Sequence, residues 1–199
     1  LKQIAIALHN YRDVYGAMPP AFIRDAEGRP AHSWRVLILP FIDEQELYGR
    51  YRFDEPWDGP NNILLQGEMP DCYSCPSYHY EPENGSPEEA YLNRLSSYAI
   101  VRSETGLFFD DASPKVEYSA EAGEIVIAAE VRQHAVHWMS PVDVTPEQLL
   151  TDLRRSVSEE NANHHGVLMI MFADGSVRRI SHDMPEAEVR AMISTDGEE

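Results

Sequence analysis

Apolar residues return at three- and four-residue steps through the opening of the chain. Leu1, Ile4, Leu8, Tyr11 and Tyr15 share one helical face, and Lys2, Gln3, Asn10, Arg12 and Asp13 fill much of the opposite side. Gly16 suits the left-handed position that closes a helix and Pro19-Pro20 cannot continue one, so a helix is predicted to end at residue 16. Its beginning carries no mark, because neither a Ser, Thr, Asp or Asn cap nor an initiator Met precedes Leu1. The expectation is a helix that enters from upstream in a longer natural polypeptide.

Beyond the helix the pattern changes. Pro and Gly punctuate residues 17–30, and residues 41–51 can form a short helix with Ile42, Leu47, Tyr48 and Tyr51 inward. From 53 to 96 the density of Pro, Gly, Asn and Tyr predicts a loop-rich insertion, pinned by Trp57, Tyr73, Tyr78 and Tyr80. Residues 97–182 are more sheet-like, with short strands at 97–101 and 106–109, a buried central strand at 124–131 and its neighbour at 135–139. Thr145-Pro146-Glu147 supplies a cap and then proline at the first helical position, predicting a helix within 144–155. Asp174-Gly175 separates two apolar runs, 166–173 and 176–181, and predicts a hairpin with a type I′ turn. Val167 to Phe172 is apolar without alternation, so that strand should be covered on both faces. Residues 183–199 read as a final helix and tail, and 1–199 as a single α+β domain.

Composition acts mainly by exclusion. A chain of 199 residues with 43% hydrophobic content can bury one core. No apolar run approaches the ~20 residues that span a bilayer, so any membrane anchor is expected upstream of Leu1. A formal net charge of -18 repels phosphate backbones and anionic lipid, which sets nucleic acid aside as a partner. Part of the acidity is concentrated between Glu81 and Glu89 and at the Asp196–Glu199 terminus, where a solvated loop and tail are expected. Asp110-Asp111 lacks the alternating ligand spacing of a calcium loop.

Candidate chemistry is sparse. Cys72 and Cys75 are the only cysteines; with no second CxxC, and with His79 as at most a third ligand, they read as a small-ring disulfide or two quiet thiols rather than a metal site. His134 and His137 fall on opposite faces of a strand, and the adjacent His164 and His165 also diverge, so neither pair forms a ligand set. Glu130 closes the apolar run from Ile125 to Ala129, and a buried carboxylate there must be paired, hydrogen-bonded or protonated, with His165 and Arg35 as candidate partners. Trp57, Asp58 and Trp138 could line a pocket. No GxSxG elbow, HExxH helix or phosphate-cradling GxxxxGK[ST] loop is present, and no cofactor or metal is expected.

Several blocks in fixed order carry a resemblance. They are LKQIAIALHNYRDVYGAMPPA, Ser33-Trp34-Arg35-Val36-Leu37-Ile38-Leu39-Pro40, Glu55-Pro56-Trp57-Asp58, Cys75-Pro76-Ser77, Ala129-Glu130-Val131, Trp138-Met139-Ser140-Pro141-Val142-Asp143, His165-Gly166 and Phe172-Ala173-Asp174-Gly175-Ser176-Val177. Together they resemble a large bacterial family of prepilin-like proteins with an N-terminal cleavage and methylation signal, one apolar helix and an extracytoplasmic domain of unknown function. Val167 stands where relatives commonly have a second Gly after His165-Gly166. The resemblance, and the likeness of that family to pilins and type II secretion pseudopilins, implies a pilin-like fold with a long N-terminal helix packed on an antiparallel sheet. It implies a periplasmic or cell-surface location, anchored by a transmembrane helix ahead of Leu1. The function expected is a non-enzymatic envelope or secretion-associated subunit that meets other pseudopilin-like proteins, or itself, through that helix. Glu130, His165, Trp57, Asp58, Trp138 and Asp143 are then candidates for a ligand site or a structural polar network. The alternative is a solute- or glycan-binding module built around Trp57, Asp58 and Trp138, and the least favoured reading is a hydrolase using Glu130 and His165.

Overall fold

A computed structural model describes residues 1–77, 93–108, 124–155 and 166–195. Helix α1 (Lys2–Tyr15) ends as its residues dictate: Gly16 takes φ 79° and its N–H donates to the Arg12 carbonyl at 2.7 Å. Ile4, Ala5, Ala7 and Leu8 are buried, with Leu1 and Tyr11 packed partly against the same core. Tyr15, expected inward, is 62% exposed. It lies on the last turn, where its ring rests on Tyr11 and Phe41 at centroid distances of 4.4 and 6.3 Å.

The chain then forms a hairpin of β1 (Phe22–Arg24) and β2 (Pro30–Ser33), where the Asp25 carboxylate accepts the N–H groups of Glu27 and Arg29. Ser33 caps the short α2 (Trp34–Leu37) by accepting from the Arg35 N–H. The helix expected over 41–51 is shorter, α3 (Gln45–Arg50), because Asp43 adopts φ 66° and breaks the helical path before it. Between 53 and 77 the chain carries only two 3₁₀ turns, Asn62–Leu65 and Asp71–Tyr73.

Two strands, β3 (Leu95–Ser96) and β4 (Tyr98–Ile100), precede β5 (Val126–Glu130) and β6 (Val136–His137). Helix α4 (Pro146–Arg155), strands β7 (Val167–Phe172) and β8 (Val177–Ser181), and helix α5 (Glu186–Ile193) complete the described elements. The main sheet is antiparallel in the order β4-β5-β7-β8, so the fold is α+β. One sheet face joins Ile127, Ala128, Met171 and Ala173 to Ile4 and Leu8 of α1, with Trp34, Tyr73 and Trp138 in the same core. The other face joins Val126, Ala129, Leu168, Ile170 and Ile180 to Leu149, Leu153, Val189 and Ile193 of α4 and α5. An irregularity in register between Val126 and Ala128 puts Ile127 and Ala128 in the same core, which explains why β5 reads as an unbroken apolar run. Among the described residues no helix is long and apolar enough to cross a membrane.

Three expectations are corrected. The strand placed at 135–139 as the neighbour of β5 is β6, and it pairs with β3 in a separate two-stranded sheet. The buried Asp152 carboxylate accepts from the Arg132 and Gln133 N–H groups and contacts the His134 ring, turning the chain away from the main sheet just after β5. No strand forms at 106–108; a turn closed by the Gly106 N–H on the Ser103 carbonyl leaves only a single bridge between Arg102 and Phe108. The β7–β8 hairpin is present, but its turn is not type I′. Only Gly175 has positive φ, at 80°, while Asp174 accepts from the Ser176 N–H at 2.7 Å, which is a three-residue loop with glycine in the left-handed position.

Candidate functional site

The strongest concentration of buried polar groups lies where α2 meets the end of β4. Ser33 starts α2 so that Trp34 and Arg35 both turn into the core, each fully buried. Opposite them, the segment after β6 delivers Asp143. Its Oδ1 accepts from Arg35 Nη2 at 2.8 Å, from the Ile100 N–H at 3.0 Å and from Trp34 Nε1 at 3.2 Å. The guanidinium also donates to the Tyr98 carbonyl at 2.8 Å and to Ser33 Oγ at 3.2 Å, and lies over the Trp34 ring at 4.6 Å. Tyr73 closes the far side, donating its hydroxyl to the Arg35 carbonyl at 2.7 Å and facing the Trp138 ring at 6.4 Å. Trp138 is itself fully buried, with its indole N–H on the Gln66 carbonyl at 2.9 Å. Neither charge of the Arg35–Asp143 pair is exposed to solvent, so Asp143 has no route to a substrate proton; the arrangement acts as a clamp.

A second cluster surrounds the cysteines. The pair read as a disulfide candidate is present as two free thiols, Cys72 half-buried and Cys75 buried. Burial pushes the Cys72 thiol up to about 11. It raises Cys75 as well, and the neighbouring Glu130 charge adds to that. Both thiols are therefore protonated near neutral pH and are poor nucleophiles and poor metal ligands. Tyr98 donates its hydroxyl to Cys75, and Cys75 hydrogen-bonds Glu130. Glu130 also accepts from the Met169 N–H at 3.4 Å and lies 3.9 Å from the Arg132 guanidinium. Of the partners expected for Glu130, Arg35 is instead committed to Asp143, and His165 lies outside the described residues. Among the described residues, no group of three or more His, Cys, Asp or Glu side chains is placed to hold a metal ion.

The remaining candidates lie apart. Trp57 and Asp58 sit on a loop organised from within by Glu55, which accepts from the Asn61 and Asn62 N–H groups at 2.8 and 2.6 Å. The fully buried Asn62 side chain donates to the carbonyls of Arg52, Glu55 and Pro56. The Trp57 N–H is held by the Ala31 carbonyl and its ring lies against His137 at 4.8 Å, while Asp58 faces solvent. Burial, with the charges of Arg94 and Arg35, lowers His137 to about 4, so its ring is neutral at physiological pH. Trp57, Asp58 and Trp138 line neither of two surface cavities, of about 490 and 390 Å³, which open instead beside the first turn of α1. The structure thus brings Trp138, Asp143 and Arg35 into one network, places Glu130 beside Cys75, packs the half-buried Trp57 against the edge of the core, and leaves Asp58 at the surface. Tyr73, Tyr98, Asn62 and Asp152 are polar anchors that no local motif marks, since each acquires its partners only through the fold. His164, Asp110-Asp111, residues 78–92 with Tyr78, His79 and Tyr80, and the 196–199 tail also lie outside the described residues.

No curated protein and no solved structure matches the chain. A family model described as "Protein of unknown function (DUF1559)" matches residues 1–124, which is more than half of the sequence, and the chain belongs to that family.

Proposed function

We propose that this chain is a non-enzymatic, pseudopilin-like subunit of the cell envelope that works through protein–protein contact, with α1 as the element that meets its neighbours. The observation that carries the reading is the division of α1 into two faces. Ile4, Ala5, Ala7 and Leu8 are spent on the core, yet the outward face still presents Ile6 and Val14 at 61% and 65% exposure. Ile6 and Val14 stand two turns apart on either side of the exposed Asn10, and apolar side chains so placed on a helix already fixed to a domain offer contact points for a second helix. The polar clusters support the same reading, because Asp143 is enclosed and the thiols are held protonated, which leaves them suited to fixing shape rather than turning over substrate. An extracytoplasmic location, with a membrane-spanning helix ahead of α1, belongs to this proposal and rests on the prepilin-like resemblance.

The test is photo-crosslinking in the native cell, with a crosslinking amino acid placed at Ile6 or Val14 in the full-length protein and, as control, at the exposed Arg29. Adducts to envelope proteins or to a second copy from the first two positions, and not from the third, are the expected result. Equal yields from all three positions refute the reading. So does a hydrolytic activity of the purified protein that Glu130→Gln abolishes without unfolding it.

A further inference from the structure

We propose that an aromatic surface at the end of α1 remote from Leu1 binds a neutral β-1,4-linked glycan. Five rings from separate stretches of the chain make it. Tyr11 and Tyr15, one turn apart on α1, have ring centroids 4.4 Å apart and meet Phe41 of the Leu39–Phe41 turn edge-on at 5.7 and 6.3 Å. Tyr48 on α3 continues the surface, close enough to both α1 tyrosines to couple with them electrostatically and packed on Phe53 at 5.6 Å. Tyr15 and Phe53 are 62% and 40% exposed, while Tyr11, Phe41 and Tyr48 are half-buried, so the rings are held in place and still accessible. Aromatic surface that a folded chain leaves in water marks a contact site. It lies about 15–20 Å along the helix axis from Leu1, so a helix entering α1 from upstream approaches at the other end.

The phenol hydroxyls select the occupant. The buried tyrosines spend theirs inside the protein, Tyr51 on His32, Tyr73 on the Arg35 carbonyl and Tyr98 on Cys75. Those of Tyr11, Tyr15 and Tyr48 have no partner among the described residues, and Tyr11 and Tyr48 keep theirs in contact with solvent. Partial burial pushes the Tyr11 and Tyr48 phenols up, so both stay protonated and can donate as well as accept. A fitting ligand lays C–H groups on the rings and brings hydroxyls of the same double character to their edges. That describes a pyranose. Its axial C–H bonds are positively polarised and suit the negative face of an aromatic ring, while its equatorial hydroxyls pair with phenols. A β-1,4 linkage keeps successive sugars in a flat ribbon that several surface rings can meet together. An aliphatic protein face would cover the phenols and leave them unsatisfied, and a proline-rich strand, with carbonyls but few N–H groups, would use them only as donors. Acidic glycans are repelled by the formal charge of -18. The surface is separate from the pocket expected around Trp57, Asp58 and Trp138, and the inference goes beyond the proposed function without depending on it.

Chitohexaose and cellohexaose are the probes, titrated into the purified chain by isothermal calorimetry. The expected result is saturable binding of at least one, with a Kd on the order of 0.1–1 mM that changes less than about twofold between low and high salt, because the ligand is uncharged. Tyr15→Ala/Phe53→Ala removes the two most exposed rings and should weaken binding at least about tenfold. Tyr11→Phe/Tyr48→Phe keeps every ring and the packing beneath, removes two hydroxyls and should weaken it roughly three- to tenfold. Leu64→Ala/Val142→Ala truncates exposed apolar side chains of other segments and should change it less than about twofold. Thermal melts confirm that each variant is folded. No binding of either hexamer at about 5 mM overturns the proposal. So does an affinity unmoved by Tyr11→Phe/Tyr48→Phe, which reduces the contact to apolar adhesion, or equal weakening by the Leu64/Val142 control. Tighter binding of decaproline than of either hexamer assigns the surface to a proline-rich protein and also overturns it. Each of these failures leaves the crosslinks from Ile6 and Val14, and the reading they test, unaffected.

Discussion

Replacing Asp143 by Ala tests the central clamp most directly. The substitution takes one acceptor from three donors at once: the Arg35 guanidinium at 2.8 Å, the Ile100 N–H at 3.0 Å and Trp34 Nε1 at 3.2 Å. Arg35 and Asp143 are both fully buried, so water cannot replace the lost partner without opening the core. Removing one member of a buried ion pair costs about 3–5 kcal/mol, and an orphaned buried N–H costs roughly another 1–3 kcal/mol. These penalties overlap, and we expect a loss of about 4–6 kcal/mol, a large part of the 5–15 kcal/mol that typically holds a domain together. At this chain length that corresponds to a fall in Tm of roughly 10–20 °C. Asp143→Asn retains an oxygen for the Ile100 N–H and should lose about half as much. Arg35→Met/Asp143→Leu removes both charges and should recover much of the loss. Urea unfolding and thermal melts of the four proteins give the comparison. A loss below about 1 kcal/mol in Asp143→Ala with an unchanged m-value, or a double variant less stable than either single one, refutes the clamp.

Gly175→Ala should destabilise the β7–β8 hairpin by about 1–3 kcal/mol, since the residue has φ 80° and an added Cβ would stand 2.8 Å from the His9 ring nitrogen; a melt equal to wild type contradicts this. His137 should make stability depend on pH. Its folded pKa is depressed from the ordinary 6.5 to about 4, so the unfolded chain binds the extra proton, and the stability present above 6.5 is lost as the pH falls toward 4. His137→Phe should flatten that part of the stability profile, and an unchanged slope would assign it to other groups. Cys72 and Cys75 should react slowly with a thiol reagent at pH 8 and quickly in denaturant, with Cys75 slower than Cys72; immediate reaction of both in the folded protein, or one zinc per chain by elemental analysis, contradicts their assignment as quiet thiols.

Local signals carried much of the fold into view. Gly16, Thr145-Pro146 and Asp174-Gly175 act through their own backbone preferences, and α1, α4 and the β7–β8 hairpin appear where those residues put them. The double covering of β7 was legible for a similar reason, because an apolar run without alternation has no face to give to water. What was not legible depends on partners distant in sequence. β6 was assigned to the wrong neighbour because a side chain on α4, Asp152, captures the turn after β5. Glu130 and Asp143 were both readable as candidate polar points, but no pattern says which of them receives Arg35. That choice follows from how α2 is laid against β4, and Trp138, readable either as part of a structural polar network or, in the alternative, as a pocket wall, is packed into the core with its indole N–H on the Gln66 carbonyl.

The Arg35–Asp143 contact spans 108 positions of sequence, and that distance governs the order in which the molecule can be completed. While the chain is emerging, Trp34 and Arg35 exist long before the carboxylate that neutralises them, and Ile4 and Leu8 before the Ile127 and Met171 they pack on. The segment matched by the family, residues 1–124, contains the guanidinium but neither Asp143 nor strands β5, β7 and β8. It therefore corresponds to no unit that could close by itself: a ribosome-bound chain of that length must hold a cation and an apolar helix face in reserve. Closure of the N-terminal half waits on the C-terminal half, the slow, non-local regime of folding, in which an exposed intermediate depends on whatever shields it until synthesis ends.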